Sequence, residues 1–423
     1  MEKNNRIDVW STGLINASML LYLIWLLLPA VQTTGGALGG AACVGLFGLG
    51  VLLDWQRTRE RWLSIVLRAV CAAAMPLVLR LFLRRGGNNF LGFYVQQAMF
   101  WFPLVFAGYV RERADRRLWR WVKWVLLAAV CVTVATTIGW LIEGMLRGGR
   151  VYAYSRSLGY AGEGREAYLK ELMLRNIGGY DFVYAMVAAL PFACIGIAHH
   201  TGWRRGAYAA LLTAQTVMIV LSQYTYAMLF AAAILAVQMF ALIVRKLSRG
   251  RIGMGRSLLL GAVPLVLAAL LMQPLAALAA KVCMSLGLTN FAFSFEQLLL
   301  ALKGGATSAD SRLGYYLTAV QGFLRSPLMG SMLGGEKLLS QHSEVLDLLS
   351  GMGLMGTALV GCMVWLMGRG ALRGVKQHPD RAQLALAGCA VLAVTSLGTV
   401  FYSRDVMAVA AMGLLLVMEE KSA

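Results

Sequence analysis

Long apolar runs separated by short polar segments extend along the whole chain. The run from Met19 to Ala30 is continuously apolar, whereas a strand of a membrane barrel would alternate apolar and polar residues. Because a helix needs roughly 20 mainly apolar residues to cross a bilayer, the pattern predicts about twelve membrane-spanning helices. They lie near residues 10–30, 36–53, 62–82, 90–110, 121–142, 177–198, 206–222, 225–244, 257–280, 345–368, 383–402 and 406–418.

Two details of this pattern bear on the topology. The spans at 206–222 and 225–244 are separated only by the polar stretch from Ser222 to Thr225, so they form either a hairpin or one broken element. The segment from Met1 to Asp8 is polar and the apolar run after it is too long for a cleavable signal peptide, so we expect the first span to be retained. Residues 1–423 then form a single integral membrane domain.

The composition restricts the class of protein. Of the 423 residues, 59% are hydrophobic and 14% are charged, and the formal net charge is +19. A soluble domain is about 25% charged, so an ordinary soluble enzyme is excluded. Nucleic-acid-binding proteins are rich in charge, whereas the basic residues here are spread thinly among apolar runs. The expected surroundings are therefore membrane lipids and not nucleic acid.

The distribution of Lys and Arg predicts the orientation. If the N-terminus is inside, the inner segments hold more Lys and Arg than the outer ones, which places both termini in the cytoplasm. This topology leaves two long segments on the outer face, residues 143–176 and 281–344. Long connections on a scaffold of short turns tend to carry function.

Several kinds of chemistry lack a sequence signal. The seven cysteines show no C-x-x-C spacing and the four histidines form no H-E-x-x-H pattern, so no metal site is predicted. The sequence has no phosphate-binding loop and no G-x-G-x-x-G in a strand context, so no ATP, dinucleotide or other cofactor is predicted. Energy for a reaction must then come from an activated substrate or a gradient.

The second outer segment carries the clearest local signal. Residues 307–310 form a Thr-x-x-Asp capping pattern, and the residues after them are amphipathic as far as about Leu324. Pro327 and the glycines that follow are expected to end this helix. The sequence Gln341-His342-Ser343-Glu344 precedes the tenth span, which places His342 at the outer mouth of that span.

This arrangement resembles the outer loop of the O-antigen ligase and O-antigen polymerase superfamily, bacterial membrane glycosyltransferases that use sugars linked to undecaprenyl pyrophosphate. The resemblance rests on Ser311-Arg312 with aromatic residues following, on Arg325-Ser326-Pro327-Leu328-Met329-Gly330, and on His342 followed by Gly353. The sequence departs from the family at Ser343, where many members carry Asn. The resemblance implies an all-α, GT-C-like membrane fold in the bacterial plasma membrane.

The resemblance also implies roles for individual residues. His342 would be the catalytic base that removes a proton from an acceptor hydroxyl. Arg312 would bind the pyrophosphate, and Arg175 and Arg325 are further candidates for this contact. A guanidinium suits the task because its planar donors hold a phosphate in a bidentate geometry that Lys lacks.

Ordinary ion pairs are the alternative role for two of these arginines. Arg312 can pair with Asp310 or with Glu336. Arg175 can pair with Glu171 one helical turn earlier or with Asp181.

Three further residues are candidates for substrate binding. Glu344 lies three residues before Asp347 near the membrane mouth, where a carboxylate is costly unless it is paired or hydrated. Its alternative role is pairing with a loop arginine. Arg80 and Arg84 lie on the outer side of the third span, against the positive-inside rule. They either bind a lipid phosphate or sugar, or the third and fourth spans are misplaced.

The predicted function is the transfer of a lipid-linked oligosaccharide at the outer face. A polymerase would add the growing chain to another lipid-linked repeat unit, and a ligase would move the finished chain to a different acceptor. The sequence favours the polymerase, because it shows no feature directed at a separate acceptor. The implied partners are undecaprenyl-pyrophosphate-linked oligosaccharides and other assembly proteins, such as a flippase and a chain-length regulator.

A transporter is the competing class, above all a lipid-linked oligosaccharide flippase. Twelve spans with both ends inside is also a common transporter plan. A flippase is expected to carry ionisable residues along a central cavity, whereas the core of most spans here lacks charge.

Overall fold

The structure is a computed structural model that describes residues 2–53, 106, 116–148, 165–247, 263, 271–287, 289–302, 308–331, 338–340, 343, 345–358 and 409. Its regular elements are all helices, and no strand occurs among these residues, which confirms the all-α prediction for the described part of the chain. We number the helices α1 (Glu2–Leu27), α2 (Pro29–Leu53), α3 (Arg116–Gly148), α4 (Arg165–Leu174), α5 (Tyr180–His199), α6 (Gly202–Ser222), α7 (Thr225–Leu247), α8 (Met272–Ser285), α9 (Thr289–Leu302), α10 (Ser308–Arg325) and α11 (Val345–Ala358).

Three described helical segments are long and apolar enough to cross a membrane: Val9–Leu27 in α1, Arg120–Arg147 in α3 and Tyr180–His199, which is α5. α2 raises the number to four if its two bent halves count as one span. Length and composition of this kind are those of a membrane protein. Four predicted spans lie outside the described residues apart from single positions: 62–82, 90–110, 383–402 and 406–418.

α1 and the second half of α2 pack as an antiparallel pair. The Ser11 hydroxyl donates to the Gly50 carbonyl (2.7 Å) and the Ser18 hydroxyl donates to the Cys43 carbonyl (2.6 Å). A Cβ at Gly50 would lie 2.6 Å from Ile15 Cγ1, so the helices approach this closely because Gly50 has no side chain. Small residues and hydroxyl-to-carbonyl bonds are typical of helix packing in membranes.

α2 is bent by 89° between its segments Pro29–Gly36 and Leu38–Leu53. Gly36 permits the bend because its backbone (φ 54°, ψ −158°) is in a region that residues with side chains rarely adopt. The indole N–H of Trp25 donates to the Gly36 carbonyl (3.1 Å). The connection between the first two predicted spans is thus a short helix at about a right angle to the second span.

α5 lies at the centre of the main hydrophobic core. It is buried on all sides over residues 182–191, and α3, α6 and α7 pack around it. A helix that is apolar and buried on all sides belongs in the middle of a bundle. α6 runs antiparallel to α5, since Tyr208 packs on Gly196 near one end and Tyr224 packs on Tyr180 at the other.

α6 and α7 are separate helices. Gln223 ends α6 in a left-handed conformation (φ 53°, ψ 27°), and α7 begins two residues later. Ala227, Ala231 and Ile234 lie on one face of α7 and belong to the same hydrophobic cluster as α5. Of the two predicted alternatives, these observations favour the hairpin over a single broken element.

The second of the two segments predicted to be outer, residues 281–344, is more helical than a simple loop. α8 extends past the predicted span end at residue 280, and α9 packs against it. α10 confirms the predicted amphipathic helix, and it ends at Arg325 just before the Pro327 turn, as the sequence predicted. The predicted span at 257–280 lies mostly outside the described residues, and α11 is the described part of the span predicted at 345–368.

Candidate functional site

Most of the described residues that carry the family resemblance fold into one unit, which we call the α10–α11 unit. It comprises α10, the Pro327–Gly330 turn, residues 338–340 and 343, and α11. The turn binds α11 through backbone hydrogen bonds: Leu354 N–H donates to the Pro327 carbonyl (2.8 Å) and Met355 N–H donates to the Leu328 carbonyl (3.2 Å). These carbonyls satisfy N–H groups that lack partners within the helix because α11 is interrupted just before them.

Gly353 makes this interruption, and Gly330 lies against it. Their φ angles are 65° and 82°, in the left-handed region that favours glycine. A Cβ at Gly353 would lie 2.5 Å from the Leu328 carbonyl carbon and 2.6 Å from Gly330 N, and a Cβ at Gly330 would lie 2.5 Å from Met352 N. The glycines of the sequence pattern therefore allow two backbones to touch.

Ser350 of α11 makes hydrogen bonds with residues from two other parts of the chain. Its hydroxyl donates to the Leu338 carbonyl, and its own carbonyl accepts a hydrogen bond from the Ser331 hydroxyl (3.0 Å). Gly322 of α10 lies directly against this point, since a Cβ there would be 2.8 Å from Leu338 Cβ. Ser331 and Ser350 are buried, so these hydrogen bonds hold residues 331 and 338 against α11 away from water.

A second network joins Asp347 to Ser340 and Ser343, the nearest described residues before and after position 342 in the chain. Asp347 Oδ1 accepts hydrogen bonds from the Ser340 N–H (2.6 Å) and the Ser340 hydroxyl (2.7 Å). The Ser340 hydroxyl oxygen in turn accepts the Ser343 N–H (3.0 Å). Ser343 caps α11, because its side-chain oxygen accepts the Leu346 N–H (3.4 Å). The residues on both sides of His342 are thus tied to the first turns of α11.

Asp347 is a buried carboxylate, with 7% of its surface exposed. Burial of a charge is costly, and here two hydrogen bonds from Ser340 and the positive end of the α11 dipole offset the cost. From the sequence, Asp347 was, like Glu344, a candidate for the site, with pairing to a loop arginine as the alternative. Ser340 is a partner that the sequence did not indicate, because a loop of unknown shape separates the two residues.

Several predicted site residues are placed only in part. Arg312 lies near the start of α10, but its side chain and Glu336 are outside what the structure describes, so pairing with Asp310 or Glu336 stays open. Arg325 is exposed at the last position of α10, where a cation interacts favourably with the helix dipole. Four predicted site residues lie outside the described residues: His342, Glu344, Arg80 and Arg84.

Arg175 pairs with Glu171, one of the two alternatives that the sequence left open. The Arg175 Nη2 to Glu171 Oε1 distance is 2.6 Å, and the two side chains are 61% and 60% exposed. An exposed pair at this spacing contributes about 0.3–0.5 kcal/mol. This pair therefore holds the Arg175 side chain only weakly.

Asn176, the next residue, is a hydrogen-bonding centre that the sequence did not reveal. Its Nδ2 donates to Thr133 Oγ1 (3.1 Å), its carbonyl accepts from the Thr136 hydroxyl (2.6 Å), and its Oδ1 accepts from Ala30 N–H (3.4 Å). Thr133 also donates to the Leu27 carbonyl (3.1 Å). One residue thus joins α3, the α1–α2 junction and the α4–α5 turn, and this holds Arg175 in place.

A tyrosine cluster lies at the same end of α5. The Tyr180 ring is 4.8 Å from the Tyr184 ring and 4.9 Å from the Tyr224 ring, centroid to centroid. The buried Tyr224 hydroxyl has no hydrogen-bond partner among the described residues. Burial raises the pKa of Tyr224, and the nearby Tyr180 and Asp181 raise it further, so this phenol remains protonated. Tyr224 thus offers a buried hydrogen-bond donor beside Tyr180, at the start of α5.

A scan against protein-family models finds no match for the chain, and a search of curated proteins finds no relative. The functional interpretation therefore rests on the residues and geometry of this chain.

Proposed function

We propose that the protein is a membrane glycosyltransferase that moves an oligosaccharide from undecaprenyl pyrophosphate to the hydroxyl of an acceptor sugar. The observation that carries the proposal is the network of Ser340, Ser343 and Asp347 on both sides of His342. A catalytic base acts efficiently only when it is held within hydrogen-bonding reach of its substrate. A loop anchored on both sides of the histidine, at the start of a helix, supports that role.

The proposed architecture is a GT-C-like bundle of about twelve spans with both termini in the cytoplasm of a bacterial plasma membrane. The apolar runs outside the described residues supply the spans beyond those seen here. In this topology α10, the Pro327–Gly330 turn and the loop before α11 lie on the outer side, where a flipped lipid-linked sugar arrives.

The chemistry is a single displacement at the anomeric carbon of the donor sugar. His342 accepts the proton of the acceptor hydroxyl as its oxygen bonds to that carbon. The bond from the carbon to the pyrophosphate oxygen breaks, and the electron pair leaves with undecaprenyl pyrophosphate. Arg312 and Arg175, with Arg325 as a further contact, stabilise the charge that develops on the leaving group. The substrate itself is activated, so this displacement needs no other source of energy.

Within this class we propose a polymerase of surface polysaccharide repeat units, such as those of an O-antigen or a capsule. The experiment is deletion of the gene, followed by separation of surface polysaccharide on a gel. Single repeat units in place of a ladder indicate a polymerase. Full-length chains that remain on the lipid carrier indicate a ligase. Loss of surface sugar with accumulation inside the cell indicates a flippase and overturns the proposal.

His342→Ala should reproduce the deletion phenotype at normal protein level, because no other group is proposed to take the proton. A normal polysaccharide ladder from this variant would show that His342 is not the base. Gln341→Ala is the matched control next to it in the same loop, and we expect it to keep the ladder.

Asp347 is proposed as a positioning residue that acts through the loop. Asp347→Ala removes the acceptor of both Ser340 hydrogen bonds and should shorten or abolish the ladder. Asp347→Asn keeps a side-chain oxygen at the same place and should restore most of the activity. If Asn and Ala are equally inactive at equal protein levels, the role of Asp347 lies in its charge and not in holding the loop.

A further inference from the structure

A cavity of about 60 Å³ lies between α3, α5 and α6, near the end of the bundle away from the tyrosine cluster, and the buried Val409 also lines it. Its walls are mostly apolar, and include Leu126, Val130, Phe192 and Leu211. It extends along α3 from Lys123 to Val130, which is about 10 Å at 1.5 Å per residue. The cavity is therefore a groove parallel to the helices.

Lys123 and Tyr208 form the entrance of this groove. Lys123 Nζ is 5.9 Å from the centroid of the Tyr208 ring. The ring is fixed on its inner side by Gly196, where any Cβ would meet it, and His200 stacks on it with centroids 5.2 Å apart. The Lys123 and Tyr208 side chains are half-buried, whereas Val130, at the other end of the groove, is buried. The groove is thus more exposed at its Lys123 end, where a cation lies at the entrance.

The surface around this entrance has the composition of a membrane interface. Three tryptophans are exposed there, Trp121 by 62%, Trp124 by 57% and Trp203 by 73%. Trp at the boundary of a span marks the level of lipid headgroups. Four exposed arginines lie at the same end of the bundle: Arg117, Arg120, Arg204 and Arg205. A positive field at headgroup level attracts anionic lipids.

From this charge complementarity we propose that the groove is a binding site for one anionic phospholipid from the leaflet at the basic end of the bundle. The phosphate binds at Lys123 beside Tyr208, and one acyl chain lies along the groove between α3 and α6. The basic surface alone attracts headgroups without selecting a site. The apolar groove that begins at Lys123 adds the selection, because it takes an acyl chain attached to the phosphate.

The test is thermal unfolding of the purified full-length protein in detergent micelles doped with phosphatidylglycerol or with phosphatidylcholine. We expect phosphatidylglycerol to raise the melting temperature and phosphatidylcholine to raise it less. The Lys123→Gln variant should need about ten times more phosphatidylglycerol to reach half of the rise in melting temperature. The reason is that it loses one charge-assisted hydrogen bond to the phosphate. Arg117→Gln removes an equal charge outside the groove and should need clearly less than that.

A variant that keeps every charge separates the groove from the basic surface. Leu211→Trp fills the groove and should abolish the rise produced by phosphatidylglycerol, while Ala210→Trp, on the exposed side of α6, should preserve it. An undiminished rise in Leu211→Trp overturns the proposal. An equal rise with phosphatidylcholine, or with soluble glycerol phosphate in place of lipid, overturns it as well. These outcomes are independent of polysaccharide synthesis.

Discussion

Replacement of Gly353 by alanine tests the geometry of the α10–α11 unit. The φ angle of 65° at this position costs a residue with a side chain about 1–2 kcal/mol. The new Cβ would also lie 2.6 Å from Gly330 N, so the Pro327–Gly330 turn must move away. That movement breaks the hydrogen bonds from Leu354 and Met355 to the turn, each worth about 0.5–1.5 kcal/mol. The expected loss of stability is about 2–5 kcal/mol.

The assay is unfolding of the purified protein in mixed micelles titrated with sodium dodecyl sulfate, followed by circular dichroism. Gly314→Ala is the matched control, because Gly314 lies within α10 and no described atom is within 4 Å of a Cβ placed there. Alanine in a helix interior is about 0.5–1 kcal/mol more favourable than glycine. The two glycine-to-alanine changes should therefore shift the midpoint in opposite directions.

The same variants connect the fold to the proposed site. If the turn moves away from α11, the Ser350 contacts and the loop around His342 lose their support, so Gly353→Ala should shorten the polysaccharide ladder even at a permissive temperature. An unfolding midpoint at or above that of the wild type would refute the left-handed conformation of Gly353 and the packing argued from it.

Other predictions concern the remaining helices. Gly50→Leu should destabilise the protein by about 1–3 kcal/mol through overpacking against α1, whereas Gly45→Leu, where no described atom is within 4 Å of a Cβ, should be nearly neutral in the same assay. Asn176→Ala should be more destabilising than Asn176→Gly by about 1 kcal/mol, because only the alanine is strained at the φ of 58°. Equal losses for the two Asn176 variants would contradict this. Arg175→Gln should lower stability by less than about 0.5 kcal/mol, so loss of the polysaccharide ladder in that variant would assign Arg175 to the substrate.

Several features of the fold could be read from local sequence. The apolar run of α5 predicted a span at 177–198, and the structure has the helix at Tyr180–His199. The capping pattern and amphipathic residues predicted the helix that is α10, and Pro327 predicted its end. Each of these signals lies within the length of one helix. Bilayer thickness decides how long a span is, capping residues decide where a helix begins, and a proline ends a helix because it has no N–H to donate.

The sequence missed the features that depend on residues far apart in the chain. The polar stretch from Gln32 to Thr34 marks a break between the first two predicted spans, but hydropathy does not give the 89° angle of the bend in α2. Asn176 joins Ala30, which is 146 positions away, to Thr133. Gly330 and Gly353 combine positive φ angles with a close backbone contact, and neither feature can be read from the position of a glycine in the sequence.

For the candidate site, the sequence by itself determined which residue types are present, and it predicted roughly at which depth they lie, because membrane thickness and helix periodicity act along the chain. The resemblance to the O-antigen ligase and polymerase superfamily implied that Arg312, Arg175 and His342 are candidates. Only the tertiary structure decided that Arg175 pairs with Glu171, and that Asp347 bonds Ser340 across the loop that contains His342. These partners depend on how loops and helix ends pack in three dimensions, which no local periodicity specifies.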